Sequence, residues 1–359
     1  MCKLNLLIIG DLKIEVPIIQ GGMGVKVSMA PLVSAVANCG GAGTIASVGL
    51  AYGTPENEVD YLSASREALR SEIRKARALT SGVIGVNIMV ALTNYRELVQ
   101  VAVEEKADFI ISGAGLPLRL PEFTQGSSIK IIPIVSSARA AKIIIKTWSR
   151  RYKRFPDAII VEGPLAGGHL GFNFDELTQN LGESLESLVS AVLKTVKEYE
   201  KESNVSIPVI AAGGVFDGKD IAKFIKMGAK GVQIATRFVA TEECSVADEF
   251  KELYLKSKAE DIVIIKSPVG LPGRAIKTNF IERIMRGEKD PFKCVYKCLI
   301  TCDPATVPYC IAKALCNASI GDLNNAVVFA GSNVPRIKAI VSVKQLIDEL
   351  VDEAAKELF

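Results

Sequence analysis

Residues 208–237 read PVIAAGGVFDGKDIAKFIKMGAKGVQIATR. An apolar run, PVIAA, stops at the glycine pair Gly213-Gly214, and apolar residues then recur at helical spacing over 217–227 before a second apolar run, GVQIA. Strands that are apolar at nearly every position are covered on both faces, and a helix between two of them makes them parallel neighbours. The stretch is therefore one β-α-β unit with glycines where the first strand ends.

The same unit recurs in both directions. Strands are expected at 15–20, 43–47, 83–88, 108–112, 130–135, 157–161, 208–212 and 231–235. Helical patterns fill most gaps, at 31–38, 56–79, 95–106, 138–154, 185–202 and 217–227. A doubly wound sheet usually stops at about five to seven strands, so strict alternation to eight predicts an α/β fold of the (β/α)8 TIM barrel type. The barrel is expected over 1–240, with a more helical cap or lid over 241–325. The remaining segment, 326–359, combines a strand-like AVVFAG with an amphipathic VKQLIDELVDEAAKEL that packs back on the barrel.

Composition narrows the function classes. At 49% hydrophobic and 23% charged, the 359 residues exclude a disordered or fibrous chain, and a mean hydropathy of +0.27 implies a large core. Continuous apolar runs fall far short of the roughly 20 residues a membrane helix needs. Lys+Arg number 43 against 40 Asp+Glu, a net +3 that gives no electrostatic case for nucleic acid. The basic run KTWSRRYKR at 146–154 reads as the solvated face of a helix. The N-terminal apolar stretch is too short for a secretion signal, so a cytoplasmic location is expected, with the eight cysteines mostly free thiols. His169 is the single histidine, hence the only address for imidazole chemistry.

In such barrels chemistry sits on the loops after the strands. Here they are GGMG at 21–24, GPLAGGHLG at 163–171, GGV at 213–215 and Ala235-Thr236. Glycines let a ligand approach the backbone and free N–H groups for anionic oxygens. Gly213, Gly214, Ala235 and Thr236 follow strands seven and eight, where barrels of this type commonly hold a phosphate. His169 follows two glycines between mouth and lid, and imidazole exchanges a proton near neutrality.

PIIQGGMGV, GVNIMV, EGPLAGGHLG, IAAGGVFDG and GVQIATRF, in this order and spacing, resemble the nitronate monooxygenase (2-nitropropane dioxygenase) family, which includes flavin-dependent type II enoyl-acyl-carrier-protein reductases. The resemblance covers roughly residues 10 to 240, with a weaker echo in SPVGLPGRAIKTNF. It implies non-covalent FMN, with Gly22, Met23 and Gly24 along the isoalloxazine and Asn87 reaching flavin or substrate. Gly167 and Gly168 stand beside it, and Gly213, Gly214, Ala235 and Thr236 hold the phosphate. It also implies that His169 is the active-site histidine, acting on substrate beside flavin N5. The chain departs from the family at Leu165, where many relatives are acidic, and at Ser332, where Gln is common.

The leading expectation is an FMN-dependent nitronate monooxygenase that oxidises alkyl nitronates with oxygen. The alternative is an enoyl-acyl-carrier-protein reductase using NAD(P)H and an acidic carrier protein. By helix length, the basic run lies about 25 Å from the mouth, a poor place to dock a carrier. A non-catalytic flavin-binding protein is the third reading. Expected partners are a small-molecule substrate (nitronate or enoyl thioester), no nucleic acid and no membrane, with a homodimer as a possible assembly. Cys294, Cys298 and Cys302 fall at i, i+4, i+8, which would align them on one helical face, and Cys310 and Cys316 follow. The first three with Cys310 are candidate ligands for zinc or an iron–sulfur cluster. Their spacing matches neither site type well, so buried structural thiols are the preferred reading.

Overall fold

The computed structural model describes residues 4–294 and 296–359, apart from the side chains of residues 57 and 58. A hairpin, β1 (Leu7–Ile9) and β2 (Leu12–Ile14), precedes a closed barrel. Its eight parallel strands are β3 (Ile18–Gln20), β4 (Ala42–Ala46), β5 (Val83–Met89), β6 (Phe109–Gly113), β7 (Lys130–Val135), β8 (Ile159–Glu162), β10 (Val209–Ala212) and β11 (Gly231–Ile234). Between β8 and β10 lies the short β9 (Gly168–His169), which leaves the barrel to join a second sheet.

That second sheet is antiparallel: β12 (Ile262–Lys266), β13 (Pro272–Ile276) and β14 (Val328–Phe329), with β9 on β13. The stretch after the barrel is thus less helical than the sequence suggests. IVIIK and PGRAI are short β-rich runs joined by a turn, and they pair with each other as a hairpin.

Alternation along the strands sorts their side chains. Ile19, Ala42, Phe109, Ile111, Ile132, Ala158, Ile160, Ile210 and Ala212 form one buried cluster inside the barrel. Leu7, Ile9 and Ile14 of the hairpin, all fully buried, join it and plug the end where the strands begin. Gly85 has to be glycine: a Cβ there would lie 2.2 Å from the Phe109 ring that fills its place. The outward faces carry the larger cluster against the helices.

In the opening unit, Asp217 caps the helix Gly218–Met227 by accepting from Asp220 N at 3.0 Å, and Gly228 at φ +109° ends it. The C-terminal helix Val343–Leu358 packs on it so closely that a Cβ on Gly218 would lie 2.3 Å from Ala354 N, and Glu353 accepts from Gly218 N at 2.9 Å. The helical pattern at 56–79 is two helices, Pro55–Val59 and Tyr61–Leu79. Asp60 breaks it by accepting from Leu62 and Ser63 N–H, which caps the second helix. Among the described residues, no helix is long and apolar enough to cross a membrane.

The seven described cysteines are free, and Cys2 lies outside the described residues. The expected helical alignment of Cys294, Cys298 and Cys302 is not formed. Between the helices Asn279–Met285 and Ile311–Ser319 the described backbone is irregular, in a stretch interrupted by Pro291, Pro304 and Pro308. Among the described residues, no three His, Cys, Asp or Glu side chains group as ligands for a metal ion.

Candidate active site

At the C-terminal ends of the strands lies a cavity of about 230 Å³. Gly22, Met23 and Gly24 form one wall, Asn87, Ile134, Glu162 and Gln233 the floor, and Leu315 and Val269 belong to the cover. Gly22 and Gly24 are required by close approach: a Cβ would lie 2.4 Å from Asn87 Cβ and 2.2 Å from Val48 Cγ1 respectively. The loop is pinned from below by Ser28 Oγ, which accepts from Met23 N at 2.9 Å and from Gln20 Nε2 at 2.8 Å.

His169 stands in β9 opposite Gly273 of β13. Its Nε2 is 2.7 Å from Ser267 Oγ, and its ring meets Phe329 edge-on at 4.9 Å. Burial lowers its pKa to about 4, so it is neutral at pH 7. The loop before it is tied down by Arg274, whose guanidinium donates to the carbonyls of Pro164 and Ala166 (2.8 Å to the latter). Arg274 is buried, which pulls its pKa down to about 10. Arg274→Met keeps the bulk but leaves both carbonyls unpaired. We expect a loss of about 2 kcal/mol in urea denaturation together with reduced turnover. Wild-type stability and turnover would show that the histidine loop needs no such tether.

Most residues expected at the site meet here: Gly22, Met23, Gly24, Asn87, Gly167, Gly168, His169, Ala235 and Thr236 all line the cavity. Thr236 Oγ1 also accepts from Gly331 N at 3.0 Å. Gly213 and Gly214 do not line it. The side chain of Leu165 packs over Gly214, and both glycines border a neighbouring cavity of about 260 Å³.

Glu162, Gln233, Ser267 and Arg274 join the expected residues at the site. Glu162 is the only carboxylate lining the cavity, where no Lys or Arg stands among the described residues. Burial pushes its pKa up to about 7. Ser267 and Arg274 both lie in SPVGLPGRAIKTNF, the one downstream stretch with a sequence signal.

The profile of the nitronate monooxygenase family matches residues 6–99 and 91–353. A probable nitronate monooxygenase of Staphylococcus haemolyticus is 30% identical, over 96% of this chain and 95% of its own length. A (3aS,4S,5R,7aS)-5-hydroxy-7a-methyl-1-oxo-octahydro-1H-indene-4-carboxyl-CoA dehydrogenase of Mycobacterium tuberculosis is 31% identical, over 77% of this chain and 67% of its own length. Its Rhodococcus jostii counterpart is matched over 65% of its length, so the chain spans about two thirds of these two relatives. FabK from Thermotoga maritima superposes with a TM-score of 0.73 at 29% identity, covering 96% of this chain and 94% of that one. Nitroalkane oxidase from Streptomyces ansochromogenes superposes at 0.74 with 20% identity over 95% and 96%, a likeness of fold. With the barrel closed and its glycine-lined mouth built around one imidazole, the chain belongs to the nitronate monooxygenase family, a class of flavin-dependent oxidoreductases.

Proposed function

We propose that the protein binds FMN and works as a nitronate monooxygenase on small alkyl nitronates, with His169 as the catalytic residue. The observation that carries this is the cavity lining: one neutral imidazole, one carboxyl and no Lys or Arg in an otherwise largely apolar space. It suits a compact substrate and offers no side-chain cation to the phosphates of a large one.

The residues present fit a flavin. Gly22 and Gly24 leave a wall free of side chains, and Gln233 Oε1 is buried without a protein partner, an acceptor left for a ligand N–H. Gly22, Met23, Gly24 and Asn87 would hold the ring system, with Gly167 and Gly168 beside it. The main-chain N–H groups of Ala235 and Thr236, with the Thr236 hydroxyl, would hold the phosphate; Gly213 and Gly214 border the neighbouring cavity and are left out of that cradle. FMN held there would supply the electron acceptor for the substrate, with oxygen as the final oxidant. His169 takes the proton from the carbon beside the nitro group, or orients the nitronate once that proton is gone. Ser267 fixes the ring, and the apolar cover excludes water.

FabK, an enoyl-acyl-carrier-protein reductase, favours a second reading, NAD(P)H-dependent reduction of an enoyl thioester, and the carboxyl-CoA dehydrogenase is a further relative named for a thioester substrate. Anaerobic mixing decides between them. Under the first reading a nitronate bleaches the flavin band and NAD(P)H leaves it unchanged. Bleaching by NAD(P)H alone would replace nitronate oxidation with thioester reduction. A colourless protein indifferent to FMN would remove both.

A further inference from the structure

We propose that Glu162 is the cavity's hydrogen-bond donor, a carboxylic acid that gives its O–H to an acceptor atom of the bound flavin and so couples cofactor affinity to pH. The inference rests on the FMN reading and goes beyond it, because nothing in that mechanism uses Glu162.

Placement comes first. Ala158 and Ile160 point into the barrel, so Glu162, two residues on in β8, points the same way in the uppermost interior layer. It lines the cavity directly. A carboxyl there would normally be neutralised by a basic partner, and none is present. No ion pair or hydrogen bond engages it among the described residues, and burial is the only influence that shifts its ionisation.

The groups around it are of one kind. On β10 its register partner is Ala212, and on the β7 side Ile134 lines the cavity. Across the floor stand Asn87 and Gln233, both uncharged, and the loop that follows carries His169, which is neutral. The other titratable side chains of the lining are Tyr254 and Cys298. Burial raises both, Cys298 to about 12, so both are neutral as well. A lone carboxyl among neutral groups stays protonated to near neutral pH and is then a donor. Gln233 Oε1 in the floor and Thr44 Oγ1 one layer below already lack protein partners, so this end of the barrel is furnished for a polar ligand.

The test is FMN titration of the apoprotein by fluorescence quenching between pH 5.5 and 8.5, for wild type and Glu162→Gln. Glutamine keeps the shape and a donor N–H but cannot ionise. FMN's own phosphate titrates in both proteins, so the ratio of the two dissociation constants isolates the carboxyl. We expect that ratio to be flat below pH 7, then to rise about tenfold per pH unit in favour of the variant. The infrared spectrum of wild-type apoprotein at pH 6 should also show a protonated-carboxyl band absent from the variant. A ratio independent of pH, or an unchanged infrared spectrum, overturns the proposal while leaving FMN binding intact. If neither protein binds FMN at any pH, the flavin reading itself fails, and this inference with it.

Discussion

His169→Ala is expected to keep its cofactor and lose at least about a hundredfold in turnover, the low end of what a positioned acid–base group contributes. The size follows from composition, since no other imidazole exists to take over. It follows also from placement. The ring is held by Ser267 on Nε2 and by Phe329 on its edge, and its Nδ1 has no protein partner among the described residues. A neutral imidazole so held keeps a lone pair at every pH above about 4. Ser267→Ala should cost less, about tenfold, because it removes the ring's orientation and not the base. Flavin content is the control: His169→Ala with normal absorbance and near wild-type turnover would take the histidine out of the mechanism.

The second large effect is on stability. Burial lowers His169 from 6.5 to about 4, so below pH 6.5 the unfolded chain gains a proton that the folded one refuses, and stability falls as pH drops toward 4. Burial raises Glu162 from 4.5 to about 7, so above pH 4.5 the unfolded chain releases a proton that the folded one keeps, and stability falls as pH rises toward 7. Between roughly pH 4.5 and 6.5 the two slopes oppose each other and largely cancel. Glu162→Gln removes one of them. The variant should exceed wild type by about 3 kcal/mol at pH 8 and match it near pH 4.5, read from urea midpoints. A difference equal at both pH values would mean that the carboxyl does not titrate in the folded protein as its burial requires.

The barrel was legible because its strands are covered on both faces. Runs such as KIIPIV at 130–135 and PVIAA at 208–212 are apolar at almost every position, and that pattern needs no tertiary information. The mouth glycines were legible for the same reason, since each follows such a run. Glu162 is not legible in the sequence because the apolar run of its strand ends at Val161. Only when β8 is known to include it does Ala158-Ile160-Glu162 become an interior row. Ser267 and Arg274 meet the histidine loop through the pairing of β9 with β13, a contact roughly a hundred residues apart that no local pattern encodes. The cysteine spacing misled because a helical interval has meaning only inside a helix, and the described backbone around these cysteines is irregular.

The buried hairpin β1–β2 has a consequence for traffic. With Leu7, Ile9 and Ile14 filling the lower end, the barrel axis is no thoroughfare, and the cavity opens only toward the half of the molecule where the strands end. Under the proposed chemistry, substrate, oxygen and product share one doorway. A bulky product that lingers there would delay the next arrival, so the pace of the whole cycle can be set by the residues over the mouth while those beneath them stay unchanged.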